Sequence, residues 1–172
     1  TIYGLNYLGP WKSSEASEAA KYGMVPGDAR YEDLNGDHVI DASDYKIIGY
    51  GMPKTTMGWN TNFSYKNLSV NMFWQGTFGN DKLNYNRCIN MMASRDVTGA
   101  RFSEIKERWT PENQDAFLPA WSETSKWYPV SSLWLEKGSY VRLKNLSLAY
   151  NFNVKKFGNF TVSLNATNLF TI

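Results

Sequence analysis

Residues 57–75 read MGWNTNFSYKNLSVNMFWQ, and this stretch decides the fold. Large, mostly apolar side chains occupy every second position on both sides of a short break: Met57, Trp59, Thr61, Phe63 and Tyr65, then Leu68, Val70, Met72 and Trp74. The positions between them carry mainly glycine, asparagine, serine and glutamine. A period of two residues predicts β-strands, and the pair Lys66-Asn67 predicts a two-residue turn. We therefore predict a hairpin over 57–75 that gathers both apolar sets on one face, with Tyr65 opposite Leu68.

The same alternation returns in residues 139–170. Its apolar positions are Leu146, Leu148, Tyr150, Phe152, Phe160, Val162, Leu164 and Ala166. Asparagine, serine, threonine and alanine fill the positions between them, and residues 153–159 form a short polar break. A second hairpin is predicted over 139–170, again with one apolar face and one small, polar face.

The residue types on the two faces favour a transmembrane β-barrel over a soluble β-sandwich. A soluble β-sandwich and a transmembrane β-barrel share this alternation, so the period alone does not separate them. Aromatic residues lie at the strand ends, as in the belts of a membrane barrel: Trp59 and Trp74 at one level, and Tyr65, Tyr150 and Phe152 at the other. The opposite face is rich in small polar residues, as expected of a wet lumen. Nine residues of strand span about 30 Å, which suffices to cross the apolar layer at a tilt.

The connections are asymmetric. Residues 76–138 separate the two hairpins, a stretch far longer than an ordinary hairpin loop, whereas the turn inside each hairpin is short. Outer-membrane barrels combine short periplasmic turns with long outer loops. We therefore predict that residues 1–56 and 76–138 are outer loops. Short helices are predicted in them at 13–22 and at 102–109.

Residues 33–44 read DLNGDHVIDASD and have the spacing of a twelve-residue calcium loop. Places 1, 3, 5, 7, 9 and 12 of that loop fall on Asp33, Asn35, Asp37, Val39, Asp41 and Asp44. Place 7 would contribute its backbone carbonyl, and Ile40 at place 8 would point into packing. Two residues depart from the pattern: His38 stands where glycine is usual, and Asp44 stands where glutamate is usual. The alternative is a metal-free surface loop built from Asx turns.

The flanks of this loop do not predict helices. Pro26 and Gly27 precede it, and Gly49, Gly51 and Pro53 follow it. A second copy of the loop is missing from the sequence. An EF-hand pair or a dockerin-like adhesion module is therefore disfavoured, and the loop is interpreted as a brace within a larger structure.

Composition excludes several classes. The 172 residues carry a net charge of +2 with scattered basic residues, so no nucleic-acid surface is expected. The lone Cys88 excludes an internal disulfide framework, and no run of eighteen apolar residues is present. One histidine, one cysteine and no paired acids outside the calcium-type loop do not predict an enzyme. Because Thr1 and Ile172 both lie within patterns, we interpret the chain as a piece of a longer protein.

Four tryptophans of the long loop are candidates for contact with a ligand or partner: Trp109, Trp121, Trp127 and Trp134. Indole rings suit stacking on sugar faces, and aromatic rings with polar neighbours suit glycans. The alternative is that these rings form the loop's own small core or part of a protein interface.

Several segments, in order along the chain, resemble the C-terminal region of the SusC/RagA type of TonB-linked outer-membrane transporters. These segments are 26–31 (PGDARY), 33–44, 73–76 (FWQG), 79–81 (GND), 108–113 (RWTPEN), 138–145 (GSYVRLKN) and 165–171 (NATNLFT). They extend over nearly the whole chain. The departures are His38 and the end at Ile172, before the last strands that the family carries.

The resemblance implies an all-β fold: C-terminal strands and extracellular loops of a 22-stranded transmembrane β-barrel in the outer membrane, with loops facing the exterior. It also implies a SusD-like lipoprotein, a TonB complex acting through the N-terminal region, surrounding membrane lipid, and glycan oligosaccharide or peptide cargo. Calcium is the one cofactor that the residues predict. The competing interpretation is a soluble, calcium-braced β-sandwich that binds carbohydrate.

Overall fold

The computed structural model describes residues 1–91, 102–121, 128 and 130–172. In chain order its strands are β1 (Ile2–Gly4), β2 (Tyr7–Pro10), β3 (Ala29–Tyr31), β4 (Lys46–Gly49), β5 (Thr55–Tyr65), β6 (Leu68–Phe78), β7 (Asp81–Leu83), β8 (Leu135–Lys137), β9 (Tyr140–Val154) and β10 (Gly158–Thr171). Its α-helices are α1 (Ala16–Lys21) and α2 (Tyr85–Met91). None of the helices in the described ranges is long and apolar enough to cross a membrane.

The chain divides into two compact units. The loop unit comprises Thr1–Gly51 and Lys82–Glu136, and the sheet unit comprises Met52–Asp81 and Lys137–Ile172. The sheet unit contains one acidic residue, Asp81, and seven basic residues.

The sheet unit is one antiparallel sheet with the strand order β10-β9-β6-β5. Both hairpins predicted from the sequence are present. Tyr65 pairs with Leu68 around the Lys66-Asn67 turn, as predicted. In the second hairpin the strands run further than expected, so only residues 155–157 form the turn.

Large side chains form continuous rows across the apolar face of this sheet. One row is Phe63, Val70, Leu148 and Leu164, and the next is Tyr65, Leu68, Tyr150 and Val162. Trp59, Phe63 and Val162 remain 65%, 56% and 62% exposed, and the described part of the chain stacks no second sheet on this face. The β-sandwich alternative is therefore wrong, because its core would bury these three side chains.

A β-bulge shifts the register near one end of the sheet. Phe73 pairs with Asn145, but the next residue of β6, Trp74, pairs with Leu143, so Lys144 is the extra residue. A second irregularity in β10 brings Phe170 opposite Leu143. Trp59, Trp74, Leu143 and Phe170 consequently form one row, in which the Trp74 and Phe170 rings meet edge to face at 5.4 Å. This row corresponds to the aromatic level that the sequence predicts for Trp59 and Trp74.

The opposite face is a ladder of neutral polar side chains. The side-chain amide of Asn71 donates to Asn62 Oδ1, and the Ser147 hydroxyl donates to Asn165 Oδ1. These four residues form one row across the sheet. Thr161 Oγ1 donates to Asn151 Oδ1 at 2.6 Å in the second hairpin. The polar face predicted from the sequence is thus hydrogen-bonded within itself.

The loop unit is built from two small ribbons, β1–β4 and β2–β3, around a buried core. That core is formed by Leu5, Tyr7, Ala29, Tyr31, Cys88, Met91, Leu118, Leu133 and Trp134. The predicted helix at 13–22 is present as a 3₁₀ turn, Ser13–Glu15, followed by α1, and Gly23 after it adopts φ 66°.

Three local features of the loop unit differ from the sequence prediction. The sequence does not predict strands in residues 1–12, but the structure contains β1 and β2 there. The helix α2 was not predicted. The helix expected at 102–109 is only the 3₁₀ segment Ser103–Glu107, because Arg108 turns to an extended conformation and the Trp109 N–H donates to the Leu118 carbonyl at 2.8 Å.

Candidate functional site

The acidic loop lies between strands, as the missing helix signals predict. β3 ends two residues before it, and β4 begins two residues after it. Asp44 closes the loop: its Oδ1 accepts the Leu34 N–H at 2.8 Å and its Oδ2 accepts the Asp41 N–H at 3.0 Å. The Asp44 side chain is fully buried. The side chain at the last place of the loop is therefore hydrogen-bonded to the backbone N–H groups of its second and ninth places.

Asp33 organises the turn at the start of the loop. Its carboxylate accepts the Gly36 N–H at 2.7 Å and the His38 N–H at 2.9 Å. Gly36 and His38 both have left-handed backbones, with φ 76° and 62°. Glycine adopts that conformation freely, whereas a histidine there is strained. His38, which replaces the usual glycine at place 6, thus keeps the left-handed backbone of the turn at a cost in local stability.

The remaining predicted ligands also accept local donors. Asp37 Oδ1 accepts the Val39 N–H at 2.8 Å, and Asp37 Oδ2 accepts the Asn35 side-chain amide at 2.8 Å. Asp41 Oδ1 accepts both the N–H and the hydroxyl of Ser43 at 2.7 Å. Backbone and side-chain donors therefore compensate part of the negative charge of the loop.

These donors change the ionisation of two carboxyl groups. Burial by itself would raise the pKa of Asp33, but the N–H groups of His38 and Gly36 outweigh it and hold that pKa below its usual value. The Ser43 hydroxyl and N–H lower the pKa of Asp41. Both side chains therefore remain ionised to lower pH than a free aspartate.

The path of the loop fits a bound cation better than its side chains do. The Leu34 N–H, directly after place 1, donates to Asp44 at place 12, and Ile40 turns inward against the core, as predicted. Among the described residues, however, no three His, Cys, Asp or Glu side chains are gathered closely enough to hold a metal ion. Calcium at Asp33, Asn35, Asp37, Val39, Asp41 and Asp44 therefore stays a prediction.

The loop is tied to buried parts of the loop unit by two tyrosines. The Tyr128 hydroxyl donates to the Ile40 carbonyl at 3.0 Å. The Tyr22 ring lies edge-on against His38 at 5.0 Å, and its hydroxyl reaches Asp33 Oδ2 at 3.4 Å. Tyr128 packs against the core described above, whereas Tyr22 packs against a second buried cluster formed by Trp11, Ala19 and Met24.

The segment 26–31 is a packing element. A side chain on Gly27 would lie 2.6 Å from the Trp109 ring, and Gly27 has φ 95°. The Gly27 carbonyl accepts the Ala120 N–H at 2.7 Å. Arg30 lies 4.5 Å from the Trp11 ring centre and pairs with Glu15 at 2.8 Å. Glycine is required at 27 because Trp109 packs directly on the backbone there.

The four candidate tryptophans differ in how far they are buried. Trp134 is fully buried and Trp109 is 8% exposed, so their rings belong to the interior of the loop unit and cannot stack on a ligand. The Trp134 indole N–H donates to the Tyr128 carbonyl at 3.2 Å. Trp121 is 43% exposed and can make such a contact. Trp127 lies outside the described residues.

The loop unit also has a groove that sequence reasoning missed. The groove has a volume of about 410 Å³ and lies between residues 7–12 and residues 114–117. Leu8 and Phe117 are exposed beside it, and Lys12 pairs with Asp115 at 2.5 Å. The Tyr7 hydroxyl donates to the Phe117 carbonyl at 2.7 Å and so holds the walls together. Its lining comes from two segments a hundred residues apart, so no local motif marks it.

Comparison with known proteins identifies the family. No family model matches the chain. Two curated relatives from Formosa agariphila do: TonB-dependent receptor P26 is 37% identical over 96% of this chain, and TonB-dependent receptor P3 is 32% identical over 88%. The RagAB peptide transporter superposes on 99% of this chain with a TM-score of 0.78 and 23% identity. The chain belongs to the TonB-dependent receptors.

The predicted family and the all-β fold are thereby confirmed, and the fold of the chain matches part of the RagAB structure. The chain spans 17% and 15% of the length of the two curated receptors, and 19% of the RagAB chain that it matches.

Proposed function

We propose that this receptor segment forms barrel wall and outer loops of an active transporter in the outer membrane, energised by a TonB complex. The observation that carries the proposal is the two-faced sheet. Trp59 and Phe63 are more than half exposed on one face, while Asn62, Asn71, Ser147 and Asn165 form a hydrogen-bonded polar row on the other. An apolar face of this kind suits lipid, and a neutral polar face suits a wet lumen.

The loops are proposed to face the cell exterior. In support, the turns within the hairpins are two and three residues long, whereas the connections at the opposite strand ends make up the folded loop unit. Short periplasmic turns and long outer loops are the usual arrangement in such barrels.

The cargo is proposed to be a glycan oligosaccharide or a peptide, delivered with a SusD-like lipoprotein. The RagAB neighbour is a peptide transporter, which supports a peptide. Aromatic surface in the loop unit suits either class: Phe117 is 59% exposed beside the groove and Trp121 is 43% exposed. Contact with cargo or lipoprotein is assigned to these two rings.

The test is uptake by cells that carry the full-length receptor. We expect the receptor to co-purify with a lipoprotein in mild detergent, and labelled oligosaccharide or peptide to accumulate only while TonB is present. Accumulation that persists without TonB would contradict the proposal, as would recovery of the receptor in a soluble fraction.

Calcium is proposed to bind the acidic loop and stiffen the loop unit. The spacing of the six ligand places and the closure of the loop by Asp44 support this. With the full-length receptor, millimolar calcium is expected to slow hydrogen exchange in residues 33–44, and a chelator to reverse the effect. Asp37→Asn should weaken the response. Equal exchange with calcium and with chelator would exclude the site.

A further inference from the structure

The end of the sheet that carries both short turns has a distinct chemistry. The Lys66-Asn67 turn joins β5 to β6, and residues 155–157 join β9 to β10. The two turns are neighbours, because Leu68 pairs with Tyr150 and the Asn151 N–H donates to the Asn67 carbonyl at 2.8 Å. The side chains of both turns therefore lie at the same end of the sheet, where the strands turn.

This end is positively charged without compensation. Lys66, Lys155 and Lys156 lie in the turns, and none of them forms an ion pair with a carboxylate in the described part of the chain. Asp81, the one acid of the sheet unit, lies beyond the far end of β6 and pairs with Lys137 at 3.1 Å. An anion approaching the turns therefore meets three cations that no acid neutralises.

A belt of aromatic rings lies directly next to these lysines. Phe152 and Phe160 stack with centroids 5.8 Å apart, and Tyr150 lies 6.5 Å from Phe152. Lys66 Nζ lies 5.4 Å from the Tyr65 ring centre. Phe157, at the tip of the longer turn, is 77% exposed. Aromatic rings bordered by lysines are the composition of a membrane–water interface.

A polar step lies between the turns. The β9–β10 hairpin extends past the β5–β6 turn, and the step encloses about 370 Å³ lined by Asn67, Asn151, Phe152, Asn153 and Asn159. Asn153 donates to Asn159 Oδ1 at 2.6 Å. Asn151, Asn153 and Asn159 belong to the polar face of the sheet, whereas Phe152 and Phe160 belong to the apolar face.

The backbone at Lys66 is strained. Its φ is 51°, the left-handed region that glycine adopts most easily. A two-residue hairpin turn requires this backbone conformation, and a lysine adopts it at some cost in local stability.

We propose that this end of the sheet binds the headgroups of anionic phospholipids. The three lysines face the phosphate charge, and the aromatic belt packs on the first methylenes of the acyl chains. The inference rests on the proposed membrane placement and adds a lipid preference to it.

The experiment compares lipids on the full-length receptor purified in neutral detergent. Native mass spectrometry with added phosphatidylglycerol or phosphatidylcholine reports affinity. The test variant carries Lys66→Gln, Lys155→Gln and Lys156→Gln. The control carries Lys82→Gln, Lys106→Gln and Lys144→Gln, three exposed lysines outside the turns, and so changes the charge equally.

We expect wild type and control to prefer phosphatidylglycerol, and the turn variant to lose about tenfold or more of that affinity. Equal binding of both lipids by wild type overturns the inference, as does an equal loss in both triple variants. Competition by inorganic phosphate at lipid concentrations would also overturn it.

Failure here is distinguishable from failure of the proposed transport function. A receptor that inserts and takes up cargo but shows no lipid preference contradicts only this inference. A receptor that does not enter the outer membrane contradicts the transporter proposal.

Discussion

At the scale of single residues, close packing explains more of the loop unit than polar chemistry does. Trp109 packs directly on Gly27, and Trp134 is fully buried in the core. From the sequence, both tryptophans are simply aromatic residues in a long polar loop. A tryptophan in a loop is equally compatible with a binding surface and a core. Burial depends on neighbours far along the chain, so sequence alone does not distinguish Trp121 from Trp134.

Gly27→Ala is expected to destabilise the loop unit by about 2 kcal/mol or more, because the added Cβ meets Trp109 at a positive φ. Gly36→Ala is the matched control: it has a similar φ of 76° but open space around it, and should cost about 1 kcal/mol. Hydrogen exchange of loop-unit peptides in the full-length receptor measures both. Equal effects would mean that Trp109 does not pack on Gly27.

Asp44→Asn is expected to destabilise the acidic loop by about 2 kcal/mol even without calcium. An amide replaces one of the two oxygens of the buried Asp44 side chain that accept the N–H groups of Leu34 and Asp41. Asp37→Asn, on an exposed residue of the same loop, should have little effect under chelation. Exchange rates of residues 33–44 in EDTA decide between them, and equal rates in the two variants would contradict a structural role for Asp44.

The acidic loop should loosen in acid. The pKa values of Asp33 and Asp41 are lowered in the folded state, so their contribution is complete above the unfolded value of about 4 and is lost as the pH falls through the folded values. Hydrogen exchange of residues 33–44, corrected for the intrinsic pH dependence of amide exchange, should therefore accelerate below about pH 4. Acceleration already at pH 6 would point to another group.

At the scale of elements, the long strands were predictable and the short ones were not. Period-two alternation over nine or more residues, broken by Lys66-Asn67, has few other interpretations. β1 and β2 have only three and four residues, too few to establish a period. The bulge at Lys144 was also missed, because residues 140–144 (YVRLK) mix polar and apolar side chains on both candidate faces.

The two faces of the sheet can be tested with neighbouring residues. Phe63→Arg places a charge in the middle of the apolar face, where it should cost about 2–4 kcal/mol and reduce assembly of the full-length receptor. Asn62→Arg, one residue away on the polar face, should assemble normally. The yield of heat-modifiable receptor in outer-membrane fractions measures both. Equal losses would contradict the assignment of faces.

At the scale of the whole molecule, charge follows the division into units. Fifteen of the sixteen acidic residues belong to the loop unit, and the sheet unit has a basic excess. The net charge of +2 conceals this difference, and composition alone therefore says little about partners. The sequence-based family assignment succeeded because its motifs fall in both units, from the 26–31 segment to the end of β10.

β5 and β10 each have a strand on one side only, and their free margins extend over eleven and fourteen residues. Every second amide along such a margin points away from the sheet and is available to a copy of the same polypeptide. During export, the interval before neighbouring strands dock is therefore when the chain is most vulnerable to misassociation. Recovery of the receptor from cells should then depend more on the rate of synthesis and on chaperone supply than on how firmly the finished barrel holds together.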